Sequence, residues 1–230
     1  SQPSPESIMN LWEDLLKENN EILHIPMSSG LSGSCQSSLV LAQEFDGKVH
    51  VVNNQRISVT QRQSALDALL WAKQGKTASE IKELLEADKQ NCSIYIMLDT
   101  LFYLKKGGRI TPAAAAIGTM LKLKPVLQIQ GEKLDAFAKA RTTNQGKSLM
   151  LNAMKNDIYN RFGSFAKEKG VWLQIAHTQK EEAALLFRKE IEEMFPGFDI
   201  HMDPLSLSVA CHIGPGALAI ACCPKMDCWK

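Results

Sequence analysis

Three glycine-containing turns hold the residues whose types and spacing suit the binding of an anion. The turns are Ser28-Ser29-Gly30-Leu31-Ser32-Gly33-Ser34, Gly107-Gly108-Arg109 and His212-Ile213-Gly214-Pro215-Gly216. Glycines let a backbone approach a ligand closely, and N–H groups at the start of a helix attract negative charge. Serine hydroxyls, one guanidinium and one imidazole add hydrogen-bonding groups. The three turns therefore predict a pocket for a carboxylate head group.

Each candidate residue also has a purely structural interpretation. Ser29 and Ser32 are suited to cap the helix that follows their turn. Arg109 fits a surface position or the carboxyl end of a helix, although its planar fork also matches a carboxylate or phosphate. His212 fits a structural turn as well as a hydrogen bond to a ligand oxygen or to a partner. The residues alone leave these alternatives open.

A serine hydrolase is the rival hypothesis, with Ser32 as nucleophile and His212 as base. The turn lacks the pattern Gly-x-Ser-x-Gly with the serine at its centre, and no acidic residue is obviously placed to orient His212. A nucleotide site is also disfavoured, because the chain has neither a Gly-x-Gly-x-x-Gly nor a Walker-type loop. We therefore expect a binding protein without a cofactor rather than an enzyme.

Composition narrows the class of partner. The 230 residues are 45% hydrophobic, so the chain has enough apolar side chains for a core of ordinary size. Its 26 basic and 25 acidic residues nearly cancel, which argues against a nucleic acid or an anionic membrane as partner. No apolar run approaches the roughly 18 residues that span a bilayer, and the first residues do not resemble a signal peptide. These features predict a cytoplasmic protein.

The six cysteines are irregularly spaced, and none form a Cys-x-x-Cys pair. We expect reduced thiols that pack as small hydrophobic side chains, and no metal site. The cysteines are Cys35, Cys92, Cys211, Cys222, Cys223 and Cys228.

Helical and strand-like patterns alternate in the first half of the chain. The predicted strands are 22–27, 48–52 and 93–98, and Thr77-Ala78-Ser79-Glu80 is a capping box that predicts a helix start. Ser4 before Pro5 predicts a second helix start, nearer the beginning of the chain. Strands that alternate with helices favour a parallel sheet, in which ligands bind at the carboxyl ends of the strands. The serine turn follows the first of these strands.

The second half has a different order of elements. Residues 124–130 and 133–140 flank Gly131 and predict a hairpin, and strands are predicted at 171–176 and 218–223. Thr178-Gln179-Lys180-Glu181 predicts a second capping box. We therefore expect an α/β protein of two domains, a parallel-sheet, Rossmann-like domain over 1–98 and an α+β domain over 99–230. The apolar runs 113–123 and 205–211 are interpreted as core or as the lining of a long tunnel.

Several of these segments, in this order, resemble the DegV family over nearly the whole chain. They are the serine turn within 25–38, the block Leu104-Lys105-Lys106-Gly107-Gly108-Arg109-Ile110, Leu123-Lys124-Pro125, Arg141-Thr142, and the ending His212-x-Gly-Pro-Gly. The resemblance implies a two-domain bacterial protein that binds one long-chain fatty acid, such as palmitate or stearate, with its tail buried. It also implies lipid transport or presentation of the carboxylate to a separate, ATP-dependent fatty-acid kinase subunit.

The same resemblance assigns residues. Ser32 matches the serine that holds the carboxylate, with Ser29 and the N–H of Gly33 close by, while Arg109 and His212 match residues near the head group and the kinase-facing surface. The chain departs from the family at its start, where the family has a first strand and a threonine that contacts the carboxylate. From this we expect an N-terminal domain that is incomplete at its start, with an exposed sheet edge.

Overall fold

The computed structural model describes residues 2–117, 123–168 and 170–229. The chain divides into two compact units. The first unit comprises residues 1–57, 61–90 and 228–230, and the second comprises residues 58–60 and 91–227. The last residues of the chain therefore belong with its N-terminal part.

The first unit contains a parallel pair of strands with helices packed around it. Strands β1 (Ile22–His24) and β2 (Val49–Val51) pair with Ile22 opposite Val49 and His24 opposite Val51. The helices are α1 (Pro5–Leu16), α2 (Ser34–Leu41), α3 (Ser58–Lys73) and α4 (Ala78–Ala87), and a 3-10 turn, Ala42–Phe45, continues α2. The first three residues of α3 are grouped with the second unit. Parallel pairing of the first two predicted strands is thus confirmed.

Two helix starts predicted from the sequence are confirmed by their hydrogen bonds. The Ser4 hydroxyl accepts a hydrogen bond from the Ser7 N–H at 3.2 Å, and Pro5 occupies the first helical position. At the start of α4, the Thr77 hydroxyl accepts from the Glu80 N–H at 3.2 Å, and the Glu80 carboxylate accepts from the Thr77 N–H at 2.8 Å. These bonds satisfy N–H groups that a helix leaves without an internal partner.

A small apolar core lies between α1 and the two strands. Ile8 and Trp12 of α1 pack with Ile22, Val49 and Val51, and the Trp12 ring meets the Phe45 ring edge-on, with centroids 5.4 Å apart. Leu11 and Leu15 of the same helix, by contrast, are 56% and 42% exposed. Of these four apolar side chains of α1, Ile8 and Trp12 are the two that are buried.

The C-terminal residues are attached to the first unit by two hydrogen bonds. The Trp229 indole N–H donates to Asp67 Oδ1 at 2.6 Å, and the Gln74 amide donates to the Cys228 carbonyl at 3.1 Å. Burial raises the pKa of the Asp67 carboxyl. The hydrogen bonds from Trp229 and Gln63 act in the opposite direction but do not cancel this effect. Sequence periodicity gave no sign of this attachment.

A six-stranded mixed sheet forms the centre of the second unit. The strands lie in the order β5-β4-β3-β8-β6-β7, and only β6 and β7 run parallel to each other among the pairs of this sheet. The strands are β3 (Ser93–Met97), β4 (Lys124–Ile129), β5 (Asp135–Ala140), β6 (Val171–His177), β7 (Ile200–Pro204) and β8 (Leu218–Pro224). The predicted hairpin is confirmed as β4 and β5.

The placement of β3 corrects the sequence analysis. We expected strand 93–98 to close the sheet of the first domain, but β3 pairs antiparallel with both β4 and β8 in the second unit. All five of its residues are buried. A strand buried on both faces reads as a continuous apolar run whichever sheet it joins, so its partners cannot be read from its pattern.

Helices cover the sheet and complete its core. Met150, Met154, Ile158, Phe187 and Ile191 are fully buried against strand residues. The helices are α5 (Phe102–Gly107), α6 (Pro112–Ile117), α7 (Thr143–Asn156), α8 (Gly163–Glu168), α9 (Glu181–Met194) and α10 (Leu207–Ile213). A π-helical turn, Asp157–Arg161, follows α7. No helix in the described part of the chain is long and apolar enough to cross a bilayer.

The two apolar runs have different outcomes. Within 113–123, residues 118–122 lie outside the described residues. The run 205–211 includes most of α10 and is not simple core, because Leu207 is 80% exposed and Ala210 is only partly buried.

Candidate functional site

The serine turn lies between β1 and α2 in the first unit and is closed by backbone hydrogen bonds. The Ser28 carbonyl accepts hydrogen bonds from the N–H groups of Leu31 and Ser32, at 3.0 and 3.1 Å. The Ser28 N–H donates to the Arg56 carbonyl at 2.8 Å. These bonds fix the backbone that carries the predicted binding residues Ser29, Ser32 and Gly33.

Ser32 is almost completely buried at the start of α2. Its side chain is 5% exposed, and its Oγ accepts a hydrogen bond from the Ser34 N–H at 3.1 Å. The hydroxyl thus bonds to the first residue of α2, but Gly33 and not Ser32 is the N-cap residue of that helix, and no side chain among the described residues caps it. A serine hydroxyl both donates and accepts hydrogen bonds, so the bond from Ser34 does not by itself exclude a role in ligand binding.

Gly33 is exposed at this helix start and lies against Gln2. A Cβ at Gly33 would lie 2.7 Å from Gln2 Oε1, and the Gln2 amide donates to Ser37 Oγ at 3.2 Å. Among the residues that the structure describes, no group accepts a hydrogen bond from the Gly33 N–H. The sequence analysis did not identify Gln2, because an isolated glutamine carries no spacing signal.

A second serine of this region pairs with a histidine. Ser38 Oγ and His24 Nε2 are 3.3 Å apart, and Ser38 is fully buried. Burial lowers the pKa of His24, which favours the neutral imidazole. This pair was not predicted, because the two residues come from β1 and α2, fourteen positions apart.

Arg109 follows α5 in the second unit and bonds to the end of that helix. Gly108 has a φ of +67°, the left-handed conformation that ends many helices at glycine. The Arg109 guanidinium then donates to the Gly107 carbonyl. Arg109 thus has the helix-end contact that the sequence offered as its structural alternative.

His212, near the end of α10, lies beside the same turn. A Cβ at Gly107 would be 2.9 Å from His212 Nδ1 and 3.7 Å from Arg109 Cδ. Glycine at this position therefore lets the imidazole and the guanidinium approach each other. Partial burial and the positive charge of Arg109 lower the pKa of His212.

Replacing Arg109 with glutamine is expected to raise the pKa of His212. The substitution removes the like charge that opposes protonation of the imidazole, while the contribution of burial remains. The measurement is an NMR titration of the His212 ring, with Arg188→Gln, a change in the α9 ion pair with Glu192, as control. An unchanged His212 titration in the Arg109 variant would show that the two side chains do not interact.

Thr178 holds the glycine turn that follows His212, which corrects a prediction. Its hydroxyl donates to the Gly214 carbonyl at 2.7 Å and accepts from the Ala217 N–H at 3.0 Å. We expected Thr178 and Glu181 to form a capping box, but α9 begins after Lys180 without a side-chain cap. Thr178 is 5% exposed, and its hydroxyl satisfies two backbone groups of this buried turn instead.

Asp99 lies against Gly216 of the same turn. A Cβ at Gly216 would lie 2.0 Å from Asp99 Oδ2, and Asp99 accepts hydrogen bonds from Lys124 and Lys180 at 2.7 and 2.9 Å. Burial opposes ionisation of Asp99, but the two lysines prevail and lower the pKa of its carboxyl. The sequence did not predict that Asp99, Lys124 and Lys180 come together beside this turn.

The structure therefore gathers the predicted residues in two groups. Ser29, Ser32 and Gly33 lie together in the first unit, and Arg109 and His212 lie together in the second. Within the described residues, no three His, Cys, Asp or Glu side chains group closely enough to hold a metal ion. Both groups offer hydrogen-bond donors, which suits an anion more than a cation.

Comparison with known proteins gives one consistent family. The model of the family described as "Uncharacterised protein, DegV family" matches residues 1–225. A DegV domain-containing protein of Clostridium perfringens is 30% identical over 226 residues, which cover 96% of this chain and 75% of that protein. Protein DegV of Bacillus subtilis is 30% identical over 230 residues, which cover 98% of this chain and 78% of that protein.

Solved structures have the same fold. A DegV family protein from Thermus thermophilus, described by its fatty-acid binding, matches with a TM-score of 0.84 and 28% identity, over 97% of this chain and 78% of that one. DegV of Bacillus subtilis, described as a fatty acid binding protein, matches with a TM-score of 0.83 and 28% identity, over 98% and 78% of the two chains. A stearic acid-binding protein from Eubacterium ventriosum shares the fold, with a TM-score of 0.84 at 20% identity over 98% and 78%.

Proposed function

This chain belongs to the DegV family, and from that premise we propose that it binds one long-chain fatty acid, such as palmitate or stearate. Its role is then lipid transport or presentation of the fatty acid to a kinase, without catalysis of its own. Support comes from the two relatives that are 28% identical to this chain and are described as binding fatty acids.

The observation that carries the proposal is the buried Ser32 hydroxyl beside the exposed Gly33 backbone at the start of α2. A carboxylate removed from water needs hydrogen-bond donors, and a hydroxyl and helix-start N–H groups supply them. Each buried methylene contributes about 0.8 kcal/mol, so the acyl chain supplies most of the affinity. We assign the carboxylate to Ser32, with Ser29 and the Gly33 N–H beside it.

Arg109 and His212 are assigned to the head group from their common place beside Gly107. Burial and the guanidinium lower the pKa of His212, which favours a neutral imidazole, so Arg109 supplies the positive charge that attracts a carboxylate and His212 supplies a hydrogen bond. Arg109 already bonds to the Gly107 carbonyl and keeps further N–H donors. We propose that these two residues act in presentation of the carboxylate rather than in retention of the fatty acid.

Native mass spectrometry of the purified protein tests the proposal. A stoichiometric adduct, identified after denaturing extraction as a C14 to C18 fatty acid, is the expected result. A protein that carries no lipid and takes up none when palmitate is offered contradicts it. A serine-directed fluorophosphonate probe tests the rival hydrolase, because stoichiometric labelling of Ser32 would establish a nucleophile there.

Presentation to a kinase makes a separate prediction for Arg109. With an ATP-dependent fatty-acid kinase subunit, Arg109→Ala is expected to keep its affinity for palmitate but to form acyl phosphate at least tenfold more slowly. In this reaction the γ-phosphoryl group of ATP is transferred to the carboxylate oxygen, and ADP is released. The acyl phosphate that forms is measured by trapping it with hydroxylamine. Arg188→Ala on α9 is the control for loss of a surface arginine. Equal rates for Arg109→Ala and the wild type exclude this role.

A further inference from the structure

Three cysteine thiols lie close together where β8 approaches its end. Cys222 and Cys223 are consecutive, fully buried residues of that strand, and Cys92 directly precedes β3, the neighbouring strand. Each of the six cysteines of the chain carries a thiol. Burial raises the pKa of the Cys222 thiol, and the neighbouring thiols of Cys92 and Cys223 raise it further. The three sulfur atoms therefore share one small region of the second unit.

The register of the sheet decides which two of these residues lie opposite each other. β3 and β8 are antiparallel, and Ser93 lies opposite Cys222. Along an antiparallel pair, one step back on the first strand is one step forward on the second, so Cys92 comes opposite Cys223. Cys223 is still in regular strand geometry, because its other neighbour is Trp172 of β6. Cys92 and Cys223 are therefore cross-strand neighbours.

The two thiols of β8 face opposite sides of the sheet. Leu218, Ile220 and Cys222 pack in one apolar core with residues of α7 and α9. Side chains alternate between the two faces along a strand, so Cys223 lies on the other face. A residue directly opposite on the next strand shares that face, which places Cys92 beside Cys223. Of the two β8 thiols, Cys223 is thus the one positioned to react with Cys92.

The backbone geometry of such a pair suits a disulfide bond. Directly opposite residues of antiparallel strands have Cα atoms about 4.5 or 5.5 Å apart, and a disulfide needs roughly 4.4 to 6.8 Å. Cys92 is only partly buried, whereas Cys223 is fully buried, so a reagent in the solvent meets Cys92 first. In a reducing environment a cysteine pair of this kind responds to oxidants rather than serving as a permanent structural bond.

We propose that Cys92 and Cys223 form a reversible disulfide bond when the protein meets a small-molecule disulfide. The Cys92 thiolate attacks one sulfur of the reagent, which forms a mixed disulfide and expels one thiolate. The Cys223 thiolate then attacks the Cys92 sulfur and expels the second thiolate, and the two cysteine protons end on the two product thiols. The protein is oxidised by two electrons and the reagent is reduced.

The bond has a structural consequence for the second unit. Cys92 and Cys223 lie near the two ends of the segment 91–227, which makes up most of that unit. Their disulfide closes nearly the whole segment into a loop, and a disulfide that closes a long loop restricts the unfolded chain. Oxidation is therefore expected to stabilise the second unit. This inference does not rest on fatty-acid binding by the serine turn.

Cystamine is the probe, applied to the full chain with Cys211→Ser, which removes an exposed thiol. Remaining thiols are alkylated, and peptides are mapped by mass spectrometry. The expected product is about 2 Da lighter, joins Cys92 to Cys223, and reverts in dithiothreitol. Cys223→Ala is expected to stop at the mixed disulfide on Cys92. Cys222→Ala, the matched control on the same strand, is expected to form the disulfide.

Urea unfolding, followed by the 19F NMR signal of fluorinated Trp172, gives the second measurement. Oxidation is expected to raise the unfolding midpoint of the Cys211→Ser protein by about 1 M, and to leave that of a further Cys92→Ala variant unchanged. Equal midpoints overturn the stabilisation. A disulfide from Cys92 to Cys222, a mixed disulfide alone, or no reaction overturns the pair, and the peptide map decides this even if Cys223→Ala does not fold.

Discussion

Ser32→Ala is expected to weaken palmitate binding by about 1 to 3 kcal/mol, or roughly 5- to 150-fold, because a buried carboxylate oxygen loses its hydroxyl partner. The acyl chain keeps its contacts, so binding is weakened rather than abolished. The bond from the Ser34 N–H to Ser32 Oγ, 3.1 Å long, is lost in the same variant. A change in stability must therefore be separated from a change in affinity.

Isothermal titration with delipidated protein measures the affinity, and urea unfolding without ligand measures the stability. Ser79→Ala removes a hydroxyl from an exposed helical position on α4 and is the matched control, with no expected change in affinity. Ser32→Thr keeps a hydroxyl and is expected to retain more affinity than Ser32→Ala. If Ser32→Ala binds palmitate as tightly as the wild type, Ser32 is not a carboxylate ligand.

Gly214→Ala is expected to destabilise the second unit by about 3 kcal/mol or more, from backbone strain and overpacking together. Gly214 has φ +83° and ψ 175°, a conformation that side chains rarely adopt. An added Cβ would also lie 2.3 Å from Tyr103 Cδ2. Because the preceding helix carries His212, the same change is expected to alter the NMR titration of that imidazole.

A matched glycine separates the two causes. Gly197 also has φ +83°, but a Cβ there would meet no atom within 4 Å, so Gly197→Ala is expected to cost only about 1 to 2 kcal/mol from backbone strain. The variant Gly214→Ala/Tyr103→Ala is expected to recover the part that is due to the ring. The 19F NMR signal of fluorinated Trp172, the tryptophan of the second unit, follows unfolding in urea. If Gly214→Ala and Gly197→Ala lose the same free energy of unfolding, the Tyr103 ring moves aside for the added Cβ without destabilising the unit.

Local elements could be predicted from the sequence where a side chain bonds to the backbone of a residue only a few positions away. Ser4 and Thr77 start helices through bonds that span three residues, and the hairpin of β4 and β5 surrounds Gly131, whose φ is +142°. Thr178 shows where such reasoning fails. Its pattern matched a capping box, but its hydroxyl bonds to Gly214 and Ala217, and the latter is 39 residues away.

The residues of the candidate site could be predicted from the sequence, but their arrangement in space could not. The serine turn, Arg109 and His212 stand out because glycines and polar residues cluster there, and this signal needs no fold. Gln2 beside Gly33 and Asp99 beside Gly216 carry no local pattern. They become visible only when distant segments pack together.

The sequence by itself determined the chemical inventory, the alternation of helices and strands, and the resemblance to a family, because each is encoded in residue types and short spacings. Only the tertiary structure decided that β3 joins the sheet of the second unit, that Trp229 bonds to Asp67, and that Cys92 comes opposite Cys223. The physical reason is that strand partners and buried polar contacts join residues far apart in the chain. A buried strand has the same apolar pattern in either sheet, so packing of the whole chain selects its partner.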